Sequence, residues 1–254
     1  MNKILAIALN TFREAIRDRI LYLLLAFALL MIASTTFLSM LTVGSREKII
    51  KDLGLSAISL FGVLTAIFVG MGLVFKEIDR RTIYTIVTKP VGRGQFILGK
   101  YLGLALTLGV NWAVMTGGFF ALLVSERCFD PVLLRAVALI LVELLVMTAI
   151  AILFSSFSTP ILSALFTFSA YLMGHLSWSL RLLEERLVSS WGKALCELLY
   201  WLLPNLERFN IRGESVHGVA VPGSEVALAA LYGAAYATVL LAAACACFRR
   251  RDFV

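Results

Sequence analysis

Along the 254 residues, apolar stretches of about twenty residues recur, separated by short clusters of charge. A helix needs a stretch of that length to cross the roughly 30 Å hydrocarbon layer. The pattern predicts such spans at about 20–40, 54–75, 96–124, 131–154, 160–179 and 226–247. The third and fourth are long enough to tilt or to project beyond the lipid. No segment alternates apolar and polar residues as barrel strands would, and a closed barrel is the only other lipid-spanning solution. The expected fold is therefore an all-α membrane protein with six transmembrane helices, forming one domain over 1–254.

Three stretches outside the spans carry their own patterns. In residues 1–19, Leu5, Leu9, Phe12 and Ile16 recur at helical spacing, while Arg13, Glu14, Arg17 and Asp18 lie elsewhere around the helix. This predicts an interfacial amphipathic helix, with Arg19 and Tyr22 marking the turn into the bilayer. A cleaved leader would instead have a compact apolar core followed by small residues.

Between the second and third spans, residues 76–95 are strongly polar. Asp79 can cap a helix start, Ile83, Ile86 and Val87 give it one apolar side, and Pro90 ends it. About ten residues are too few to be a stable helix alone in water. Such a helix must rest on the membrane surface, on the ends of the spans or on a partner; the competing reading is a solvated loop.

In the 180–224 segment, an apolar run from Leu195 to Leu203 is too short to span. Trp191, Tyr200 and Trp201 are interfacial anchors. Pro204 stops the run, and Pro222-Gly223-Ser224 precedes the last span. Residues near 193–204 are predicted to enter the outer leaflet without crossing it.

Composition agrees: 60% of residues are hydrophobic and 15% charged, and mean hydropathy is +0.92, against roughly 25% charged in soluble domains. The net charge of +7 has a location. Lys3, Arg13, Arg17, Arg19, Lys76, Arg80, Arg81, Lys89, Arg93, Lys100 and Arg249 to Arg251 would all share one side with five acidic residues. The other side balances ten basic with ten acidic residues, and Glu143 stands within a span. The positive-inside rule then puts both termini and the 76–95 loop in the cytoplasm, against anionic lipid. Basic residues tied to membrane edges argue against a nucleic-acid partner.

Chemistry is sparse. The two histidines, His175 and His217, form no His-Glu-x-x-His pair. There is neither a Gly-x-Ser-x-Gly elbow nor a Gly-x-x-x-x-Gly-Lys-Ser/Thr phosphate loop. The chain is expected to be no enzyme and to hold no cofactor. A secondary transporter would need intramembrane charges or broken helices in repeated halves, and only Glu143 lies inside a span, with no internal repeat. Glu143 should face a helix interface, a cavity such as a transport pathway, or a second protomer, and either hydrogen-bond a hydroxyl such as Thr148 or Ser169 or be protonated. His175 reads as an interfacial neighbour of Trp178. Glycines 62, 70, 72 and 103 read as sites of close helix packing. Ser34, Thr35, Thr36 and Ser39 in the first span, and Ser163, Thr167 and Ser169 in the fifth, suit close contacts within one protomer or between two. Cys128 and Cys196 would share the outer side, where a disulfide is allowed, but two cysteines do not establish a pair.

The polar stretch also carries a resemblance. Glu77, then Thr82-Ile83, Lys89-Pro90-Val91, Arg93, Phe96 and Gly99-Lys100 are similar to the first cytoplasmic loop of ABC-2-type transporter permeases. The opening (Leu9, Phe12, Arg13, then Arg17-Asp18-Arg19) and the ending Phe248 to Phe253 are similar too. Leu203-Pro-Asn-Leu-Glu-Arg-Phe-Asn210 resembles a segment before the last span in one branch. Arg81, Gly92 and Gly94 depart from the common pattern.

The resemblance implies an architecture like that of the type V ABC exporters: a coupling helix in the 76–95 loop and short re-entrant helices before the sixth span. Glu77, Arg80, Arg81, Thr82, Ile83, Ile86, Lys89, Pro90 and Arg93 would contact a separate cytoplasmic ATPase, present in two copies and holding the ATP and Mg. A second permease copy would complete the pathway, as a homodimer or with a related chain. The first and fifth spans would meet there, with Ser34, Thr35, Ser39 and Thr167 at the interface. An outer accessory protein and a prokaryotic inner membrane complete the expectation. A non-transporting structural or force-transmitting membrane subunit, or a secondary transporter, is the alternative.

Overall fold

The structure is a computed structural model that describes residues 3–40, 46–79, 92–177, 191–193, 197 and 203–250. Its helices are α1 (Lys3–Ile16), α2 (Arg19–Met40), α3 (Arg46–Asp79), α4 (Arg93–Ser125), α5 (Leu133–Phe157) and α6 (Pro160–His175). A 3-10 turn, η1 (Leu206–Phe209), a short helix α7 (Arg212–Val216) and the long α8 (Gly223–Arg250) follow. In lipid every backbone polar group must be paired within the chain, and helices do this segment by segment.

Five of these helices are long and apolar enough to cross a membrane: α2, α3, α4, α5 and α8. The helix expected at 160–179 is described for 16 residues, Pro160–His175. At 1.5 Å per residue that is about 24 Å, short of the hydrocarbon thickness.

The core forms around α3 and α5, whose apolar windows are each 67% buried, against 22% for α8. α5 touches α3, α4, α6 and α8, and α2 lies along α3. Small residues set the closest approaches. A Cβ on Gly62 would stand 2.8 Å from Leu144, one on Gly70 2.9 Å from Ala151, and one on Gly103 2.5 Å from Thr11.

Gly99 and Gly103, one turn apart on α4, form a shallow strip into which α1 settles. There Ala8, Thr11 and Ala15 are buried. Leu5 and Leu9, on another side of α1, stay exposed. The apolar periodicity of α1 thus marks its outward face. A second, small-residue face binds it to α4.

Boundaries shift where charge is used internally. α3 starts eight residues before the expected span, because its first turns pack on the turn after α4. Lys51, 4% exposed, reaches Glu47 at 2.5 Å and Asp130 at 3.6 Å, and Arg46 pairs with Glu126 at 2.6 Å. That turn closes α4 as a Schellman motif: Cys128 N–H donates to Leu123 O at 2.9 Å and Arg127 N–H to Val124 O at 3.2 Å. Arg127 takes the left-handed conformation, with φ 56°. At the other end α3 continues to Asp79 and α4 begins at Arg93, where Gln95 Oε1 accepts the Gly92 N–H at 3.3 Å. Pro160 opens α6, with Thr159 as its N-cap.

Candidate functional site

α5 carries Glu143 ten residues from its start, among leucines and valines. The carboxylate is 1% exposed, and an isolated charge there would be costly. Its partners come from three directions. His175 Nε2 on the last turn of α6 lies 2.8 Å from Oε1, and the Ser59 hydroxyl on α3 donates to Oε2 at 3.4 Å. Neither Thr148 nor Ser169 is the partner: Thr148 donates to Leu144 O on its own helix. His175 likewise turns inward onto Glu143, where the sequence suggested an interfacial residue beside Trp178; Trp178 lies outside the described residues.

The third direction is the chain before α8. Leu206 and Phe209 are buried, and between them Glu207 Oε2 sits 3.4 Å from His175 Nδ1. Arg212 follows, donating to Ser59 Oγ at 2.7 Å and to Ser56 Oγ at 3.5 Å. Around one buried carboxylate the fold thus collects His175, Glu207, Arg212, two serines and the edge of Tyr171, whose ring centroid is 4.7 Å from the imidazole's. Two acids face one guanidinium and one imidazole, and the Ser59 hydroxyl bridges Glu143 and Arg212.

Seating of the 204–216 segment is specific. A Cβ on Gly174 would meet Leu206 Cγ at 2.7 Å and Pro204 O at 2.9 Å. Tyr232 of α8 accepts the Asn205 N–H on its hydroxyl at 3.0 Å, carries the Arg208 guanidinium 5.0 Å above its ring and lies beside Phe209. Ser177 donates to Asn205 Oδ1 at 3.1 Å. The segment predicted to enter from the outer side, near 193–204, falls largely outside the described residues; the part seen to enter the bundle is 204–216.

The remaining sequence-derived residues fall elsewhere. Thr35, Ser39 and Thr167 are buried within the single chain, donating to Ile32 O, Thr36 O and Ser163 O on their own helices. Ser34, half-buried, donates to Met31 O. Ser34, Thr35 and Ser39 lie on α2, and Thr167 lies one turn before Tyr171 on α6. Of the loop set, Glu77 lies in the last turn of α3 and Arg93 opens α4. Arg80, Arg81, Thr82, Ile83, Ile86, Lys89 and Pro90 lie outside the described residues, as does Cys196. Lys100, beyond them on α4, is fully buried with Nζ 5.8 Å from the Phe96 ring centre. Among the described residues no group of three His, Cys, Asp or Glu could hold a metal ion.

Arg212 and Glu207 were missed because they read as hydrophilic residues of a connecting segment. Their signal was present: a carboxylate placed in a span requires a partner, and Leu206 and Phe209 flank Glu207 with apolar residues.

The protein-family model described as "ABC-2 family transporter protein" matches residues 5–253. No curated protein matches the chain.

Proposed function

The chain belongs to the ABC-2 transporter family, and on that premise we propose that it is the permease subunit of an ATP-driven exporter, powered by a separate ABC ATPase. The observation that carries this reading is the family match over nearly the whole chain, joined to a bundle of apolar helices able to cross a membrane. Residues 80–92 join α3 to α4, the helix on which α1 rests. A push delivered there would reach both helices at once. We assign ATPase contact to Glu77, Arg80, Arg81, Thr82, Ile83, Ile86, Lys89, Pro90 and Arg93, with the apolar side of Ile83 and Ile86 in a groove of the partner. ATP and Mg belong to two ATPase copies, whose closure would turn the permease by a rigid-body movement.

Cytoplasmic termini rest on the distribution of Lys and Arg, and a prokaryotic inner membrane rests on the family resemblance. Pairing with a second permease, identical or related, rests on family architecture. The exposed apolar sides of α2 and α6, with Phe27 and Leu30 on one and Ile161 and Leu165 on the other, are the surfaces we assign to that contact. An outer accessory protein would dock at the opposite end from the coupling loop.

The test is co-purification with an ABC ATPase co-expressed with this chain. Ile83→Asp with Ile86→Asp should abolish the complex while the permease still inserts. A complex that survives both changes would return the loop to a solvated role.

A further inference from the structure

Both ring nitrogens of His175 face carboxylate oxygens, Nε2 toward Glu143 at 2.8 Å and Nδ1 toward Glu207 at 3.4 Å. A neutral imidazole has one N–H and one lone pair. Between two ionised carboxylates, one of the two contacts would then oppose lone pair to lone pair. Both are satisfied only when the group holds one more proton, as an imidazolium or as a carboxyl O–H.

Charge leads to the same count. The ionisable groups facing His175 are Glu143 on α5, Glu207 on η1, Arg212 on α7 and Tyr171 one turn earlier on α6. With the extra proton, two negative charges meet two positive ones. Without it the cluster carries net −1 around a carboxylate that is 1% exposed, where uncompensated charge is costly. His175 also ends α6, where the helix dipole favours a cation.

We propose that His175, Glu143 and Glu207 form a proton-binding site, and that its proton fastens the 204–216 segment to α5 and α6. When the proton leaves, Glu207 is the partner that yields. Its side chain is 47% exposed and can return to water, whereas Glu143 is enclosed. The segment then keeps its apolar seat at Gly174 and Tyr232 and the Arg212 bonds to Ser56 and Ser59, but loses the tie from Glu207 to His175. The proposal concerns the chain itself and is independent of the ATPase reading.

Hydrogen–deuterium exchange tests this on the full chain in lipid nanodiscs, at about pH 5.5 and about pH 9, bracketing the ordinary histidine range. Rates are corrected for intrinsic exchange, with α5 peptides as the internal reference. Protection over 206–216 should fall at least about tenfold from the lower to the higher pH while α5 stays unchanged. His175→Gln should lose this dependence. In Glu207→Gln the new amide can donate to the Nδ1 lone pair of a neutral imidazole, so protection should persist at both pH values. Equal wild-type protection at the two pH values would overturn the proposal, as would an undiminished fall in His175→Gln. Should His175→Gln not fold, Glu207→Gln decides alone: a wild-type fall in that variant overturns the proposal.

Discussion

Gly174 and Leu206 are in contact at a distance that leaves no room for a methyl group, since a Cβ on the glycine would lie 2.7 Å from Leu206 Cγ. The last turn of α6 and the 3-10 turn before α8 thus meet backbone against side chain. Pro204 O, 2.9 Å from the same point, cannot move aside as a flexible side chain could. Gly174→Ala should therefore unseat the segment at a cost of about 1–3 kcal/mol, the usual range for overpacking. The check is faster exchange over 206–216 at every pH, with α3 and α5 unaffected.

Glu143 should tolerate an amide better than an alkyl chain. Glu143→Gln keeps an oxygen that can accept an imidazole N–H at the Oε1 position, while its amide N–H can donate to Ser59 Oγ at the other. Glu143→Leu leaves His175 Nε2 and the Ser59 hydroxyl without their buried partner, on the order of 3 kcal/mol. Thermal unfolding in detergent should rank wild type above Glu143→Gln and both well above Glu143→Leu. Equal midpoints for the two variants would show that the carboxylate's partners matter little to stability.

How legible this was in the sequence differs by scale. Hydropathy averaged over twenty residues located the five long helices, because the lipid imposes one requirement on the whole segment. The ends moved wherever a charged residue was spent inside the protein. Lys51 looks like a loop residue until Asp130 is beside it. The Glu143 cluster was legible only as a demand: a buried carboxylate needs partners, but periodicity along one helix cannot say that His175 and Ser59 come from two others. Glycines 62, 70 and 103 were readable as contacts, while the small face of α1 was hidden behind its more conspicuous leucines.

Arg127 holds a left-handed conformation at φ 56° in the turn after α4, where glycine would be unstrained. Its side chain is exposed. Arg127→Gly should stabilise the chain by about 1 kcal/mol, read as a higher Tm in detergent. A lower midpoint would mean that the arginine side chain contributes more than the strain removes.

Burial raises the Cys128 thiol above its ordinary value, and the nearby Glu47 carboxylate raises it further. Less thiolate is then present at any given pH, and the thiolate is the nucleophile. In a chain whose other cysteines are serine, alkylation of Cys128 should reach half its maximal rate at a higher pH than a free thiol does. Glu47→Gln should move that midpoint downward. A midpoint unmoved by the substitution would remove Glu47 from the account.

The clasp between α1 and α4 has a consequence for the order in which the molecule is made. Ile7 and Thr11 are synthesised early, yet the glycines that receive them, Gly99 and Gly103, come some ninety residues later. At about 5–20 residues per second, α1 waits roughly 5–20 s for its seat. In that interval the bilayer surface is a partner at hand, and Leu5, Leu9, Phe12 and Ile16 suit it. The helix therefore carries two faces for two stages, one to moor the nascent chain and one to be claimed when α4 arrives.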